Sequence, residues 1–220
     1  MRIGIFGGTF NPVHAGHITV TAFLLETGRM DQIVVVPSAH PPHKPETAIT
    51  PAVHRLAMTR LAFRGLPQVT VSDTEINREG PSFSIDTVRA LIPTCPAARW
   101  WFIIGIDAFL EIHAWKGVAD LFREIGFLVM TRPGHGRPNA ADLTDTLSGY
   151  LAAAIDPAYC RDTKTGAFVH PKLQPVQPVA VPACVVSSSA IRRRLRQKKT
   201  AATWLPLAVQ DYIDIKGLYL

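Results

Sequence analysis

Short apolar runs recur along the chain, and most of them end at a glycine, a proline or a polar loop. Short runs rich in Val, Ile, Phe and Trp are typical of buried β-strands. The pattern predicts strands at residues 2–6, 32–37, 69–72, 99–105, 125–131 and 183–186. The segments between them carry apolar residues at helical spacing. They predict helices at residues 12–25, 51–63, 84–92 and 107–123.

Strands that alternate with helices predict an α/β fold with a doubly wound, mostly parallel sheet. In such a sheet, ligands bind outside the carboxyl ends of the strands, near the point where the strand order reverses. The polar and glycine-rich segments all follow predicted strands: GGTFNPVHAGH, PSAHPPHK, SDTEINREGPSFS, GIDAF, TRPGHG and SSSAIR. Six loops are therefore expected at one edge of the sheet, where this fold class places an active site.

The chain departs from this alternation at residues 134–182, which are rich in proline and alanine. Within them, AADLTDTLSGYLAAAI predicts an amphipathic helix, and HPKLQPVQPVAVP predicts extended or loop structure. We interpret residues 134–182 as an excursion within an α/β core of residues 1–186. Residues 187–220 follow as a C-terminal helical segment. Because two full domains would be cramped in this length, residues 1–220 are predicted to form a single domain.

Composition narrows the class of protein. Hydrophobic residues make up 47% and charged residues 18%, which is a globular composition, and the net charge of +6 favours anionic partners. Cys95, Cys160 and Cys184 stand far apart in no C-x-x-C arrangement, which disfavours a disulfide scaffold and a cysteine zinc site. The first apolar run is too short for a signal peptide, and no apolar stretch has the length of a membrane span. We expect a soluble, cytoplasmic protein without a membrane partner.

The candidate chemistry is concentrated in the loop after the first strand, GGTFNPVHAGH. Gly7 and Gly8 allow the backbone to approach a ligand closely. His14 and His17 fall in the first turn of the predicted helix, and Gly16 between them would leave room for a bulky group. A helix start has free N–H groups and a positive dipole end, and two imidazoles there would suit a polyphosphate that gains charge during a reaction.

Three other interpretations of this loop are weaker. A zinc site would more naturally place histidines four residues apart around a carboxylate, and no nearby acid completes a ligand set. A structural turn explains one glycine but not the whole string. The dinucleotide-binding pattern G-x-G-x-x-G is absent. The loop therefore predicts phosphate chemistry without a protein-built metal site.

The same loop resembles the H-x-G-H signature of the nucleotidyltransferases related to class I aminoacyl-tRNA synthetases. Among them, the chain most resembles the bacterial nicotinate-nucleotide adenylyltransferases. Further matching motifs follow in order along nearly the whole chain: PSAHPPHK, EINREGPSFSIDTV, GIDAFLEIHAWK, TRPG, VSSSAIR and VQDYIDIKGLY. The departures are Phe83 where the family often has tyrosine, Ser189 where threonine is usual, and a long segment before Val185. The resemblance implies a Rossmann-like fold and transfer of AMP from ATP to nicotinate mononucleotide, which yields deamido-NAD and pyrophosphate in NAD biosynthesis.

The resemblance also implies a set of ATP ligands. His14, His17 and Arg192 are the implied catalytic residues on the ATP phosphates. The other implied ATP-binding residues are Gly7, Gly8, Thr9, Phe10, Gly16, Gly105, Asp107, Ser187, Ser188 and Ser189. Asp107 would accept from the ribose hydroxyls, although it could also cap a helix. A serine cap is likewise a common plain role for the SSSAIR segment, and we expect Ser187 or Ser188 to be both cap and ligand.

A second implied set binds nicotinate mononucleotide. Lys44, also counted as catalytic, and Arg132 are candidates for its phosphate or for the transition state, with His43 close by. The backbone at Ser84 would hold the nicotinate carboxylate, and Trp115 would stack on the pyridine ring. Without the resemblance, Trp115 would be assigned to the core and Lys44 to the solvated surface.

Several alternatives stay open. Pantetheine-phosphate adenylyltransferase and the cytidylyltransferases share the histidine loop, but they typically resemble G-T-F-D where this chain has Asn11. A nucleotide sensor and a nucleic-acid-binding protein are the non-enzymatic alternatives. The basic run RRRLRQKK at residues 192–199 suggests nucleic-acid binding. Because no aromatic residues are interleaved with these charges, we expect no nucleic-acid partner. The expected partners are ATP and nicotinate mononucleotide, with Mg²⁺ carried on the ATP phosphates. A homo-oligomer is left open.

Overall fold

The computed structural model describes residues 1–41, 49–131, 140–184 and 186–219, and only the backbone at residues 140–142. Within these residues the strands are β1 (Arg2–Gly8), β2 (Gln32–Pro37), β3 (Val69–Val71), β4 (Arg99–Gly105), β5 (Gly126–Met130), β6 (Cys160–Arg161), β7 (Phe168–Val169) and β8 (Val176–Val179). The α-helices are α1 (Ala15–Glu26), α2 (Ala52–Phe63), α3 (Ser84–Leu91), α4 (Ile106–Phe109), α5 (Val118–Glu124), α6 (Ala140–Tyr150), α7 (Ser188–Arg196) and α8 (Leu207–Lys216). Single turns of 3₁₀ or π-helix cover Ile92–Thr94, Ile112–Ala114 and Leu151–Ile155.

The chain divides into two compact units. The first comprises Met1–Phe6 and Phe83–Ala183, and the second comprises Gly7–Ser82 and Cys184–Leu220. The single domain expected over residues 1–220 stays a prediction.

The first unit contains strands in the order β1-β4-β5-β8-β7-β6. The β1-β4-β5-β8 neighbours are parallel, whereas β8-β7-β6 are antiparallel. β5 is buried along its whole length, and β4 is buried between its two end residues, as is typical of central parallel strands covered on both faces. Phe109, Phe122 and Phe127 pack together with ring centroids between 4.6 and 6.1 Å apart and form part of the core.

The second unit contains β2 and β3, which pair in parallel. The end of β1 also belongs to this unit, and the Gly8 carbonyl accepts a hydrogen bond from Ser38 N–H, just after β2, at 2.9 Å. α2 packs against β2, β3 and α8. It buries Met58, and α8 buries Val209. The C-terminal helix is therefore anchored in the unit that carries the histidine loop.

The predicted α/β class with a mostly parallel sheet is confirmed. The strands at 32–37 and 99–105 have the predicted bounds, and the second helix starts one residue later than predicted, at Ala52. The predicted C-terminal helical segment contains α7 and α8, and the helix predicted around residue 145 is α6 with the π-helical turn that follows it.

The first helix begins later than the pattern at residues 12–25 predicts. It starts at Ala15, and His14 is its N-cap with an extended φ of −149° and ψ of 172°. An extended residue cannot continue a helix toward its N-terminus. Residues 12–14 therefore belong to the loop, and His17 lies in the first helical turn.

The helix predicted at residues 107–123 is instead three short pieces. α4 is followed by the 3₁₀ turn Ile112–Ala114 and then by α5. Trp115 is extended with ψ 145°, and Gly117 adopts a left-handed φ of 67°, which glycine tolerates without a Cβ clash. Apolar spacing cannot detect a break that depends on the conformation of one residue.

The last strand is β8, not the predicted segment at 183–186. The described residues of that segment lie in no strand, and Val185 is outside the described residues. β8 runs beside β5, and β7 pairs with β8 only at Val176. Pro178 therefore lies beyond the β7 pairing, where its missing N–H is tolerated. The prolines of HPKLQPVQPVAVP predict extended or loop structure, and four of its residues are in fact a strand.

Candidate active site

The loop between β1 and α1 turns sharply before it reaches the histidines. Phe10 has a left-handed φ of 46°, which is rare for a bulky residue and needs support from its surroundings. Its ring lies against Gly8, where a Cβ atom would come within 3.0 Å of the ring. The same ring meets the His17 ring edge-on at 4.9 Å between centroids. Gly8 is therefore required by the packing of Phe10, and ligand contact at Gly7, Gly8, Thr9 and Phe10 stays a prediction.

His14 and His17 form a stacked pair at the start of α1. Their ring centroids are 3.8 Å apart, and the His14 backbone N–H donates to Nδ1 of His17 at 3.1 Å. A neutral imidazole that accepts at Nδ1 carries its proton on Nε2. His17 is thereby held in the tautomer that offers an Nε2–H donor. His14 is 6% exposed and His17 is half-buried, so His17 is the more accessible ring.

Gly16 has a packing role that differs from the expected one. A Cβ atom at Gly16 would meet the His14 ring at 3.1 Å and Sγ of Cys184 at 3.2 Å. The space that Gly16 leaves is occupied by the His14 ring and Cys184. A ligand role for the Gly16 backbone stays a prediction.

The N-terminus of α7 is tied to the same loop. Ser187 is the N-cap, and its Oγ accepts from Ala190 N–H at 3.2 Å. Ser188 Oγ donates to the carbonyl of Pro12 at 2.9 Å. The backbone N–H groups of Ser188 and Ser189 have no acceptor inside the helix, as in any first turn. The segment SSSAIR thus combines a structural cap with donors suited to an anion.

Arg192 reaches the histidine loop from α7. One terminal nitrogen donates to the carbonyl of Asn11 at 2.7 Å, and the other donates to Oγ of Ser189 at 3.3 Å. Its Nε is buried and has no hydrogen-bond partner among the described residues. A guanidinium has five N–H donors, so Arg192 keeps donors that could meet a phosphate.

Arg55 was missed by sequence analysis, because an arginine on an amphipathic helix is ordinarily a surface residue. It is only 1% exposed. Nε donates to the carbonyl of Thr50 at 2.8 Å, and the terminal nitrogens donate to the carbonyls of Thr9 at 2.7 Å and Ala39 at 3.0 Å. Burial lowers the pKa of Arg55 from its usual value. Arg55 therefore holds together the loops that follow β1 and β2.

Ser82 makes a second connection to the loop after β2. Its Oγ accepts from the N–H groups of Ala39 at 3.0 Å and His40 at 3.1 Å, and its own N–H donates to the His40 carbonyl at 3.1 Å. The predicted residues His43 and Lys44 follow on this loop and lie outside the described residues.

In the first unit, β4 and β5 end side by side. Gly105 pairs with Met130 and is the N-cap of α4, with Asp107 in the first turn. Asp107 is thus not the cap. A Cβ atom at Gly105 would meet no atom within 4 Å, so the space beside this glycine is open. Arg132 lies outside the described residues.

Ser84 and Trp115 also belong to the first unit. α3 begins at Ser84 without a side-chain cap, so the first N–H groups of this helix have no acceptor inside it. Trp115 is half-buried, and its ring packs edge-on against Phe102 at 6.1 Å between centroids. The partial exposure of Trp115 is compatible with stacking on a ligand, which stays a prediction.

Lys116 connects the segment of Trp115 to the start of α3. Its Nζ lies 3.4 Å from Oδ2 of Asp86 and 4.4 Å from the centroid of the Phe83 ring. The Asp86 carboxylate therefore has a cationic partner, although both side chains are partly solvated. Sequence analysis did not identify this pair, because the two residues are thirty positions apart.

The described residues also bear on metal binding and on membrane insertion. Within them, no group of three or more His, Cys, Asp or Glu side chains is arranged to hold a metal ion. None of the helices described there is both long enough and apolar enough to span a membrane.

Comparison with known proteins places the chain in a family. The cytidylyltransferase-like family model matches residues 5–194. Relatives named "Probable nicotinate-nucleotide adenylyltransferase" include one from Desulfatibacillum aliphaticivorans, 36% identical over all of both chains. Another, from Symbiobacterium thermophilum, is 40% identical over all of this chain and 95% of its own.

Solved structures share the fold. The nicotinic acid mononucleotide adenylyltransferase of Plasmodium falciparum complexed with NaAD has a TM-score of 0.72 at 19% identity, over 99% of this chain and 97% of its own. The same protein complexed with APC has a TM-score of 0.70 at 18% identity, over 99% and 96%. From the sequence relatives and the family model, the chain belongs to the cytidylyltransferase-like family and, within it, to the nicotinate-nucleotide adenylyltransferases.

Proposed function

We propose that the protein transfers AMP from ATP to nicotinate mononucleotide. An oxygen of the mononucleotide 5′-phosphate attacks the α-phosphorus of ATP, the bond from that phosphorus to the bridging oxygen of the β-phosphate breaks, and pyrophosphate leaves. The products are deamido-NAD and pyrophosphate. The substrate phosphate is itself the nucleophile, so catalysis consists of positioning and charge stabilisation rather than covalent attack by a side chain.

The observation that carries this proposal is the assembly of hydrogen-bond donors in the second unit. The Nε2–H of His17, the first N–H groups of α7 and the Arg192 guanidinium all belong to segments that contact the loop after β1. Donors fixed before the reaction stabilise negative charge without reorganising. In this proposal they bind the ATP phosphates and the departing pyrophosphate, together with His14 and the backbone of Thr9 and Phe10.

The remaining roles rest on the family and on chemical type. Gly105 supplies clearance and Asp107 an acceptor for the adenosine ribose. Ser84 and Trp115 bind the nicotinate group. Three basic residues outside the described residues, namely His43, Lys44 and Arg132, would bind the mononucleotide phosphate or the transition state.

Mg²⁺ is proposed as the cofactor. Nucleotidyltransferases generally work on a nucleotide with a divalent metal. That the ion is bound mainly to the substrate stays a proposal and rests on the coordination chemistry of Mg²⁺. Mg²⁺ is often held by substrate phosphates, where it neutralises charge.

Mg²⁺ removal tests this assignment. We expect dialysed, nucleotide-free protein to contain no stoichiometric metal and to need added Mg²⁺ with ATP for turnover. Metal content is measured by atomic emission and turnover by pyrophosphate release. One tightly held metal per chain after dialysis would contradict a substrate-borne ion.

The function itself is tested with a panel of acceptors. ATP or CTP is combined with nicotinate mononucleotide, 4′-phosphopantetheine or buffer alone, and pyrophosphate release is followed with product identification by mass. The proposal expects dinucleotide only from ATP with the mononucleotide. Preference for phosphopantetheine or CTP would favour the rival enzymes, and ATP binding without turnover would favour a nucleotide sensor. A salt-sensitive gel shift with nucleic acid would contradict the expected absence of that partner.

A further inference from the structure

The C-terminal motif VQDYIDIKGLY has no role in the proposed chemistry, although it belongs to the unit that carries the histidine loop. α8 ends at Lys216, and Gly217 follows in a left-handed conformation with φ 59°. Leu218 N–H then donates to the carbonyl of Ile213 at 3.0 Å, which closes the helix end in the manner of a glycine C-cap. The chain turns back here and brings Tyr219 toward the loop.

Tyr219 itself adopts a left-handed φ of 67°. That conformation is unfavourable for a residue with a Cβ atom, so the side chain must gain contacts that hold it. Its hydroxyl donates to Oδ1 of Asn11 at 2.7 Å. Burial raises the pKa of Tyr219 to about 12, against the opposing effects of Thr50 and of the Arg192 and Arg55 charges. The phenol is therefore protonated, and a donor, at any ordinary pH.

Asn11 connects this phenol to the candidate active site. Asn11 is 5% exposed. It directly precedes Pro12, whose carbonyl accepts a hydrogen bond from Ser188 Oγ. Its backbone carbonyl accepts from Arg192 at 2.7 Å, and its Oδ1 also accepts from Thr50 N–H at 3.4 Å. One buried residue thus joins the chain end to Arg192.

We propose that Tyr219 is a positioning residue for ATP: by holding the Asn11 side chain it fixes the carbonyl that orients Arg192 and the loop that carries the histidines. The proposal rests on the proposed function. Tyr219 touches no substrate in this account; it acts through Asn11. Without the phenol hydroxyl, Oδ1 of Asn11 loses its 2.7 Å hydrogen bond, and the contact from Thr50 N–H is longer, at 3.4 Å. The carbonyl of Asn11 that accepts from Arg192 is then held less firmly.

The test is Tyr219→Phe, which keeps the ring and removes the hydroxyl. We expect kcat/KM for ATP to fall about tenfold, which corresponds to about 1.4 kcal/mol, and ATP Kd measured without mononucleotide to rise. KM for nicotinate mononucleotide should stay at the wild-type value. Since the phenol does not titrate near neutrality, the ratio of wild type to variant should be the same at neutral and mildly alkaline pH.

Tyr212→Phe is the matched control. Tyr212 lies on α8 in the same unit, and its hydroxyl contacts Nδ1 of His54 at 2.9 Å. This contact involves neither Asn11 nor Arg192. Tyr212→Phe should leave the ATP parameters unchanged. Asn11→Ala completes a double-mutant cycle, in which the double variant should lose little more than the Asn11 variant alone.

Wild-type ATP affinity from Tyr219→Phe would overturn the proposal, as would losses that multiply in the double variant. If Tyr219→Phe melts near the assay temperature, ATP affinity is measured at a lower temperature, where circular dichroism shows that both proteins are folded. Wild-type affinity under those conditions would mean that the hydroxyl has a structural role only, and it would overturn the proposal. Wild-type protein is assayed in parallel. Failure of the wild type to make dinucleotide would count against the proposed function, while the ATP affinities still decide the role of Tyr219.

Discussion

Nicotinate mononucleotide is expected to be used with a kcat/KM several powers of ten above that of nicotinamide mononucleotide. The two acceptors differ only in carboxylate against carboxamide. At the start of α3, where we propose that this group binds, the first backbone N–H groups can donate and none can accept. A carboxylate accepts from several donors at once, whereas an amide NH₂ would face donors and leave polar groups unpaired. A site built for hydrogen bonding rejects such a mismatch by large factors.

Asp86 is the residue that could weaken this preference, because a carboxylate in the first turn of α3 would repel the acid. The ion pair with Lys116 at 3.4 Å offsets that charge. Lys116→Met should therefore lower the ratio of kcat/KM for nicotinate mononucleotide to kcat/KM for nicotinamide mononucleotide. The matched variant Asp86→Asn should not lower this ratio. Initial rates with each mononucleotide, measured for the wild type and both variants, give the ratio. Comparable kcat/KM for the two substrates of the wild type would show that this pocket is misassigned, even if adenylyl transfer is correct.

His17→Ala is expected to reduce kcat/KM by roughly a hundredfold or more, the loss typical of removing one preorganised donor to a developing charge. The structural reason is the tautomer: the His14 N–H fixes Nδ1 of His17 as an acceptor, which leaves the proton on Nε2. The loss should lie mainly in kcat, since charge on pyrophosphate grows in the transition state.

Stability must be separated from catalysis in this variant. His17→Ala also removes the acceptor of the His14 N–H at the helix start, which should cost about 1 kcal/mol of the free energy of unfolding. Thermal denaturation measures that cost. His54→Ala is the control, because His54 lies in the same unit and contacts Tyr212. Near-normal turnover by folded His17→Ala protein would exclude the proposed role.

Much of the fold could be predicted because apolar runs and their stops are local properties of the chain. The bounds of β2 and β4 follow from where β-branched and aromatic residues end at Pro37 and Gly105. β8 could not be predicted in this way. Its proline is acceptable only because β7 pairs with β8 at Val176 alone, and pairing between distant segments leaves no local pattern.

The candidate site could be predicted where the residue type and its motif indicate the chemistry. It could not be predicted where burial gives a residue a role that its type does not suggest. The histidines and Arg192 stand in motifs that suit phosphates. Arg55 has the sequence context of a surface arginine, yet it holds three backbone carbonyls in the interior. Tyr219 follows a helix by three residues and contacts a loop more than two hundred positions away. Only the folded chain brings such partners together.

Direct transfer of AMP to the mononucleotide phosphate can be followed with ATP labelled at the α-phosphorus. With nicotinate mononucleotide and Mg²⁺, we expect the α-label to move into deamido-NAD and a label at the γ-phosphorus to leave with pyrophosphate. No label should stay on the denatured protein. Label bound covalently to the protein, or γ-label in the dinucleotide product, would contradict direct transfer.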